Sequence, residues 1–389
     1  MKFKREKYIY IYISSLIRFL LNKFKANLSV KSQGVNIFTN KYFNVKRVSM
    51  RTGSAASPPR IMHFRRLLSS GTQALESVTG VLLWKPTGKP QQTLASAVSI
   101  SGIGLHSGAA TTARMLPAMA GEGRYFVSGA RGQRSRIPAT IDHAVDSPLC
   151  TTLCRGGARV RTVEHLLSAL EACGVDNCRI EIDGGDEIPL LDGSAKEWVD
   201  AIEAVRLCAA EDCDGHHMDK LASELHKPVY LWRGDSFIVA FPSPETRITY
   251  GIDFPHVRAI GCQWFSSFID VCTYSNEIAS SRTFCVYEEA QLMRNDGLIQ
   301  GGSQENAIIC SISGGWLNPP LRFHDEPCRH KILDLVGDFS LLAQNGNQGL
   351  PVAHIIAYKS CIRILRFRTS SAYGKSFTKI LEIWTCTAT

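Results

Sequence analysis

The segment Phe323-His-Asp-Glu-Pro-Cys-Arg-His330-Lys331-Ile-Leu-Asp334-Leu-Val-Gly-Asp338 decides how the second half of the chain is read. It leads into a long helix predicted over Cys328–Leu342 and follows strands predicted over Val229–Trp232, Phe237–Phe241, Ile248–Phe254 and Ala307–Ile312. A shorter helix over Val286–Asn295 and a turn at Gly301-Gly302 lie between the last two of these strands. The first half repeats that order. Thr93–Ile103 alternates with period two and runs into a Gly-rich loop, Gly102-Ile-Gly-Leu-His106-Ser-Gly108. Thr162–Gly174 carries Val163, Leu166, Leu167 and Leu170 on one helical stripe and ends at a glycine. Arg179–Ile182 reads as a short strand, and Ser194 and Glu197 stand at capping-box spacing ahead of a helix through Ala201. Strands precede helices in both halves, so the predicted class is α+β, with two similar two-layer domains in which a sheet packs on helices. The polar stretch Glu211–Asp219 reads as the linker between them, giving domains at 90–210 and 220–360. No sequence repeat of 20–50 residues is visible.

Composition sets the limits around that core. The chain has 389 residues, 44% hydrophobic and 20% charged, enough to bury one full core or two, which excludes a disordered or collagen-like protein. Thirteen cysteines include no Cys-x-x-Cys pair, so they read as reduced thiols and not as a zinc ribbon or disulfide scaffold. The net charge of +9 is concentrated in a leader. Residues 1–75 hold fifteen Lys/Arg and one acid, Glu6, whereas the remaining 314 residues carry 29 basic and 34 acidic groups. An acidic body argues against a nucleic-acid partner, because phosphate binding needs positive charge on the folded domain. The leader has the composition of an organellar presequence, best over Met50–Ser70, and Met50 is expected as the true start. The Tyr8–Leu21 run is interrupted by Arg18 and is too short for a transmembrane span.

Two segments hold residues suited to metal chemistry. On a helix, His330 and Asp334 lie four apart on one face, which suits two ligands of one ion and equally a surface ion pair. Arg161-Thr-Val-Glu164-His165-Leu166 sets a carboxylate beside a histidine at a helix start. A catalytic zinc commonly keeps three protein ligands and a water, with a carboxylate nearby to take the proton. His165, His330 and Asp334 supply such a set, with Glu164 as base; a capped helix start with satisfied polar groups fits the second segment equally well. The chain lacks His-Glu-x-x-His, which counts against a metalloprotease.

Five segments occur in one order: Ser99-Ile-Ser-Gly-Ile-Gly-Leu-His106-Ser-Gly108, Thr162-Val-Glu-His-Leu-Leu167, Ile188-Pro-Leu-Leu-Asp-Gly-Ser194, Ser281-Arg-Thr-Phe284 and Arg329-His-Lys-Ile-Leu-Asp-Leu-Val-Gly-Asp338. Together, from about Gln91 to Lys359, the chain resembles the zinc-dependent UDP-3-O-acyl-N-acetylglucosamine deacetylase family of lipid A biosynthesis, in a plant mitochondrial form. The resemblance implies two domains with the active site at their junction, Zn2+ as cofactor, and hydrolysis of the acetamide on a UDP-linked acylated glucosamine to acetate and free amine. It implies His165, His330 and Asp334 as metal ligands, Glu164 as general base and Thr283 as an oxyanion donor. Asp338 resembles the carboxylate that orients a catalytic histidine. Lys331 resembles the contact to the substrate diphosphate, Phe254 matches the aromatic that packs on uracil, and His106 is a substrate contact. Phe284 opens a segment, 284–316, that resembles the family's insert lining an apolar acyl passage. A mitochondrial monomer without a membrane span is expected.

The resemblance breaks after Ala357-Tyr-Lys359. The family continues with a small residue and then Gly-His, whose histidine is the general acid; here Cys361 and Ile362 occupy those positions. Residues 361–389 are read as a divergent tail produced by a reading-frame or splice change. The expectation is therefore a deacetylase with impaired turnover, the alternative a non-catalytic protein that binds the UDP-sugar or a partner.

Overall fold

Ten strands of the computed structural model form two five-stranded sheets that share one topology. The structure describes residues 82–129, 134–318, 320–365 and 380–385. The first sheet contains β1 (Val98–Ile103), β2 (Ala110–Pro117), β3 (Arg124–Ser128), β4 (Ser135–Pro138) and β5 (Cys178–Asp183), in the order β1-β2-β5-β3-β4. The second contains β6 (Val229–Arg233), β7 (Ser236–Pro242), β8 (Arg247–Phe254), β9 (Gly261–Phe268) and β10 (Ala353–Tyr358), in the order β6-β7-β10-β8-β9. In each sheet only the pair joining the third and fourth positions is parallel, β5 with β3 and β10 with β8; the other pairs are antiparallel. The α+β class holds.

The helices are α1 (Glu164–Ala172), α2 (Lys196–Val205), α3 (Val271–Glu277), α4 (Tyr287–Asn295) and α5 (Glu326–Ser340). Helix α1 precedes the last strand of the first sheet and α5 the last strand of the second, and the two helices pack on each other. Leu166, Leu167, Leu170, Ile332, Leu333 and Val336 are fully buried, each such side chain stabilising the fold by roughly 1.5–3 kcal/mol. The predicted single stripe understates α1: Ser168, Ala169 and Ala172 are buried too, because the helix is enclosed on several sides and its small residues admit close neighbours.

Several expectations need correction. Helix α1 begins two residues later than predicted because Thr162 has a left-handed φ of 58°, and its hydroxyl donates to Glu187. The capping box at Ser194 does not form: the helix N-cap is Ala195, and the Ser194 hydroxyl donates to Asp192 and accepts from the Lys196 amide. The ordered fold starts before Gln91, since Leu82–Pro90 forms a strand antiparallel to Asp219–Leu225. Within the polar stretch 211–219, expected as the linker, the Asp212 carboxylate accepts from the Asp214 and His216 amides. Strands β2, β3, β4 and β9 and helix α3 are absent from the sequence expectation. Ser360–Leu365, which leads into the segment expected to diverge at 361–389, pairs antiparallel with Ile380–Thr385. The predicted leader, 1–75, lies outside the described residues. All described residues belong to one compact unit.

Candidate metal centre

Close contact between α1 and α5 brings both candidate segments to one place. A Cβ on Gly337 would overlap the carbonyl oxygen of Glu164, so only glycine lets α5 approach the start of α1 this closely. Ser168, one turn further along α1, donates to the carbonyl of Leu333 at 2.7 Å and fixes the pair.

His165 comes from α1, while His330 and Asp334 share a face of α5. Asp334 Oδ1 lies 3.5 Å from His165 Nε2 and 3.3 Å from His330 Nε2. The imidazoles meet edge to face with centroids 5.0 Å apart. One ligand atom from each residue lies within 4.8 Å of the others. Zinc binds nitrogen and oxygen ligands at about 2.0–2.2 Å, which gives a tetrahedron with edges of about 3.3 Å, so the two His–Asp separations match tetrahedral edges. The remaining donor chemistry fits too. His330 Nδ1 lies 2.9 Å from the Ser281 carbonyl, an acceptor that keeps the proton on Nδ1 and leaves Nε2 free to ligate.

The electrostatics agree with a cation site. Burial depresses the pKa of His330 to about 4, against the pull of Asp334, so this ring is neutral. Burial also disfavours charge on His165, but Asp334 outweighs it and moves that pKa upward. Asp334 is itself desolvated, yet His330, Lys331 and His165 together hold it well below the usual carboxylate range. Lys331 Nζ donates to Asp334 Oδ2 at 2.9 Å and lies 5.6 Å from the Phe284 ring centroid. Phe284 in turn meets Phe254 edge to face at 5.7 Å. Phe254 and Lys331 line a small cleft with Tyr250, Ile252, Asp253 and Lys359.

A second network lies beside the first. Glu164 Oε2 accepts from the Thr151 amide at 3.0 Å, and the Thr151 hydroxyl donates to Asp338 Oδ1 at 2.7 Å. Burial, followed by the Cys150 thiol, raises Glu164 well above a normal carboxylate. Burial raises Asp338 to about 7, and Thr151 opposes that shift.

Thr283 and His106 join neither network among the described hydrogen bonds. The Thr283 amide donates to Gly193 O and its carbonyl accepts from Ile308. His106 is buried in the Gly-rich loop, with its amide donating to Glu187 and its Nε2 unpartnered. His354 sits on β10 with Nε2 2.9 Å from the Thr249 hydroxyl.

Thr151, Ser281 and Glu187 were missed by sequence reasoning. Thr151 lies in an irregular loop with no period, Ser281 contributes a carbonyl that any residue would supply, and Glu187 precedes the Ile188 motif by one position. A groove of about 810 Å³ is lined by Arg134, Arg159, Asp183 and Asp186, but Arg134 pairs with Asp183 and Arg159 with Asp186, so its charges are already matched. Among the described residues no helix is long and apolar enough to cross a membrane.

Comparison with known proteins covers the segment that holds these residues. The family model described as UDP-3-O-acyl N-acetylglycosamine deacetylase matches residues 91–364. The probable UDP-3-O-acyl-N-acetylglucosamine deacetylase 1, mitochondrial, of Arabidopsis thaliana is 57% identical over 283 residues, covering 71% of this chain and 85% of that protein. The UDP-3-O-acyl-N-acetylglucosamine deacetylases of Trichormus variabilis and a Nostoc strain are 47% and 48% identical, each over 69% of this chain and 93% of their own length.

Proposed function

Since the chain belongs to the UDP-3-O-acyl N-acetylglycosamine deacetylase family, we propose that it is a zinc-dependent amide hydrolase acting on UDP-3-O-acyl-N-acetylglucosamine in lipid A-type biosynthesis, with turnover lowered by Ile362. The observation that carries this reading is the convergence of His165, His330 and Asp334 at tetrahedral-edge separations. These three residues would hold the metal. Zinc bound there would polarise the acetamide carbonyl and acidify water at neutral pH.

The protein's own residues supply the rest. Glu164 takes a proton from the attacking water, and burial moves its carboxyl well above the ordinary carboxylate range. Lys331 and Phe254, whose ring packs against Phe284, border the cleft that takes the diphosphate and uracil, so binding energy far from the reacting carbon is used for positioning. Thr283 donates to the developing oxyanion, a contribution of roughly 3 kcal/mol in sites of this kind. His106 faces the substrate from the Gly-rich loop, and residues 284–316 enclose the acyl chain. The two halves of the chain form domains that meet at this site. Mitochondrial location follows the plant relatives, whose names carry it.

Isoleucine cannot protonate the leaving amine, and loss of a general acid typically costs 10²–10⁴-fold in rate. Ile362 is also what favours the second reading, a binding protein without turnover. Metal analysis and acetate release from the UDP-sugar separate them. One zinc per chain, lost in His165→Ala, with slow acetate release is the expected result. No stoichiometric zinc would sink both the ligand set and the hydrolase; bound zinc and UDP-sugar without acetate would leave the binding protein.

A further inference from the structure

Thr151 makes three contacts that converge on the start of α1 and on α5. Its amide donates to Glu164 Oε2, its hydroxyl donates to Asp338 Oδ1, and its carbonyl accepts from the Val163 amide at 3.3 Å. Backbone strain flanks this arrangement on both sides. Leu149 has φ 65° two residues before Thr151, and Thr162 has φ 58° two residues before Glu164. A non-glycine residue held in that region costs about 1–3 kcal/mol and persists where the surroundings over-determine it. Neither residue is a glycine, so the loop is held in place by its contacts and not by chain flexibility.

We infer that Thr151 is a positioning residue, which aims the Glu164 carboxylate through a backbone N–H and ties it through a hydroxyl to Asp338. This rests on the reading of Glu164 as the proton acceptor. The amide occupies one lone pair of Oε2 and fixes the carboxylate plane, leaving Oε1 for the proton. The hydroxyl closes the link to α5, so a shift of either helix moves the base. A valine at 151 keeps the N–H and the shape but removes the hydroxyl; a serine keeps both polar groups.

The test combines exchange and kinetics. In the metal-free full chain, the Thr151 amide should exchange at least tenfold faster in Glu164→Ala than in the unaltered chain, while Glu164→Gln, which keeps an acceptor, should preserve slow exchange. In the zinc-loaded chain, Thr151→Val should lower kcat about tenfold with KM within twofold, and Thr151→Ser should restore kcat to within twofold. Unchanged amide exchange in Glu164→Ala overturns the inference, as does a Thr151→Ser variant no better than Thr151→Val, or an effect on KM alone. If the unaltered zinc-loaded chain releases no acetate, the hydrolase reading falls, and the exchange comparison decides whether Thr151 holds Glu164.

Discussion

Asp334 and Asp338 lie one helical turn apart and are indistinguishable by spacing, yet their surroundings drive them in opposite directions. Asp334 faces two imidazoles and Lys331 and is held ionised, whereas Asp338 is half-buried and desolvated, with the Thr151 hydroxyl as its donor, and is raised to about 7. Sequence could place both carboxylates on α5, but their partners come from α1 and from the loop before residue 152, which periodicity along one helix does not reveal. A raised folded-state pKa means that the native protein holds a proton that the unfolded chain, with an ordinary aspartate near 4, has already lost. The associated stability is fully present below pH 4 and is lost as pH rises toward 7, up to roughly 4 kcal/mol in all. Asp338→Asn removes the titration and keeps an oxygen that can accept from Thr151. In metal-free protein, the Tm of Asp338→Asn relative to the unaltered chain should rise between pH 5 and pH 8. A difference that does not vary with pH would show that Asp338 does not titrate in that window.

At the scale of elements, the contact between α1 and α5 makes the site, and Gly337 permits the contact. Alanine is favoured over glycine within a helix by about 1 kcal/mol, so an exposed Gly337→Ala would stabilise α5. Here the added methyl meets backbone at Glu164, where neither helix has a flexible side chain to yield. Overpacking of this kind typically costs 1–3 kcal/mol, and the net expectation is destabilisation with weaker zinc binding, because His165 moves away from Asp334. Denaturant titration and metal competition check this; a variant as stable and as tight for zinc as the original would refute it. The sequence made α1, α5 and most strands of the second sheet legible through their apolar periods. It hid α3, a seven-residue helix whose N-cap, Asp270 accepting from the Thr273 amide, is its clearest signal. It also hid the strand Leu82–Pro90, where two prolines and a glycine obscure a pairing that depends on Asp219–Leu225, far along the chain.

Across the whole molecule, two sheets with the same strand order each place one helix before their last strand, and those helices meet to bring His165 to His330 and Asp334. That duplication is topological: it resides in hydrogen-bonded strand order, and no residue-by-residue repeat accompanies it in the sequence. Strand β10 ends at Tyr358, and Lys359, with a left-handed φ of 48°, turns the backbone into Ser360–Leu365. The departure from the Gly-His ending that the resemblance implies, at Cys361 and Ile362, therefore falls directly after the last strand of the second sheet, which leaves Asp338 and the three candidate ligands outside it. If that departure alone limits turnover, restoring two residues should recover it. The double substitution Cys361→Gly, Ile362→His gives the strand a conformationally permissive position followed by an imidazole. We expect acetate release to rise by 10²-fold or more with zinc content unchanged, since no ligand is altered. Ile362→Gln, polar but unable to donate a proton as a general acid, should recover little. Equal activity in all three proteins would mean that the proton reaches the leaving amine from another residue and that Ile362 is not what slows the enzyme.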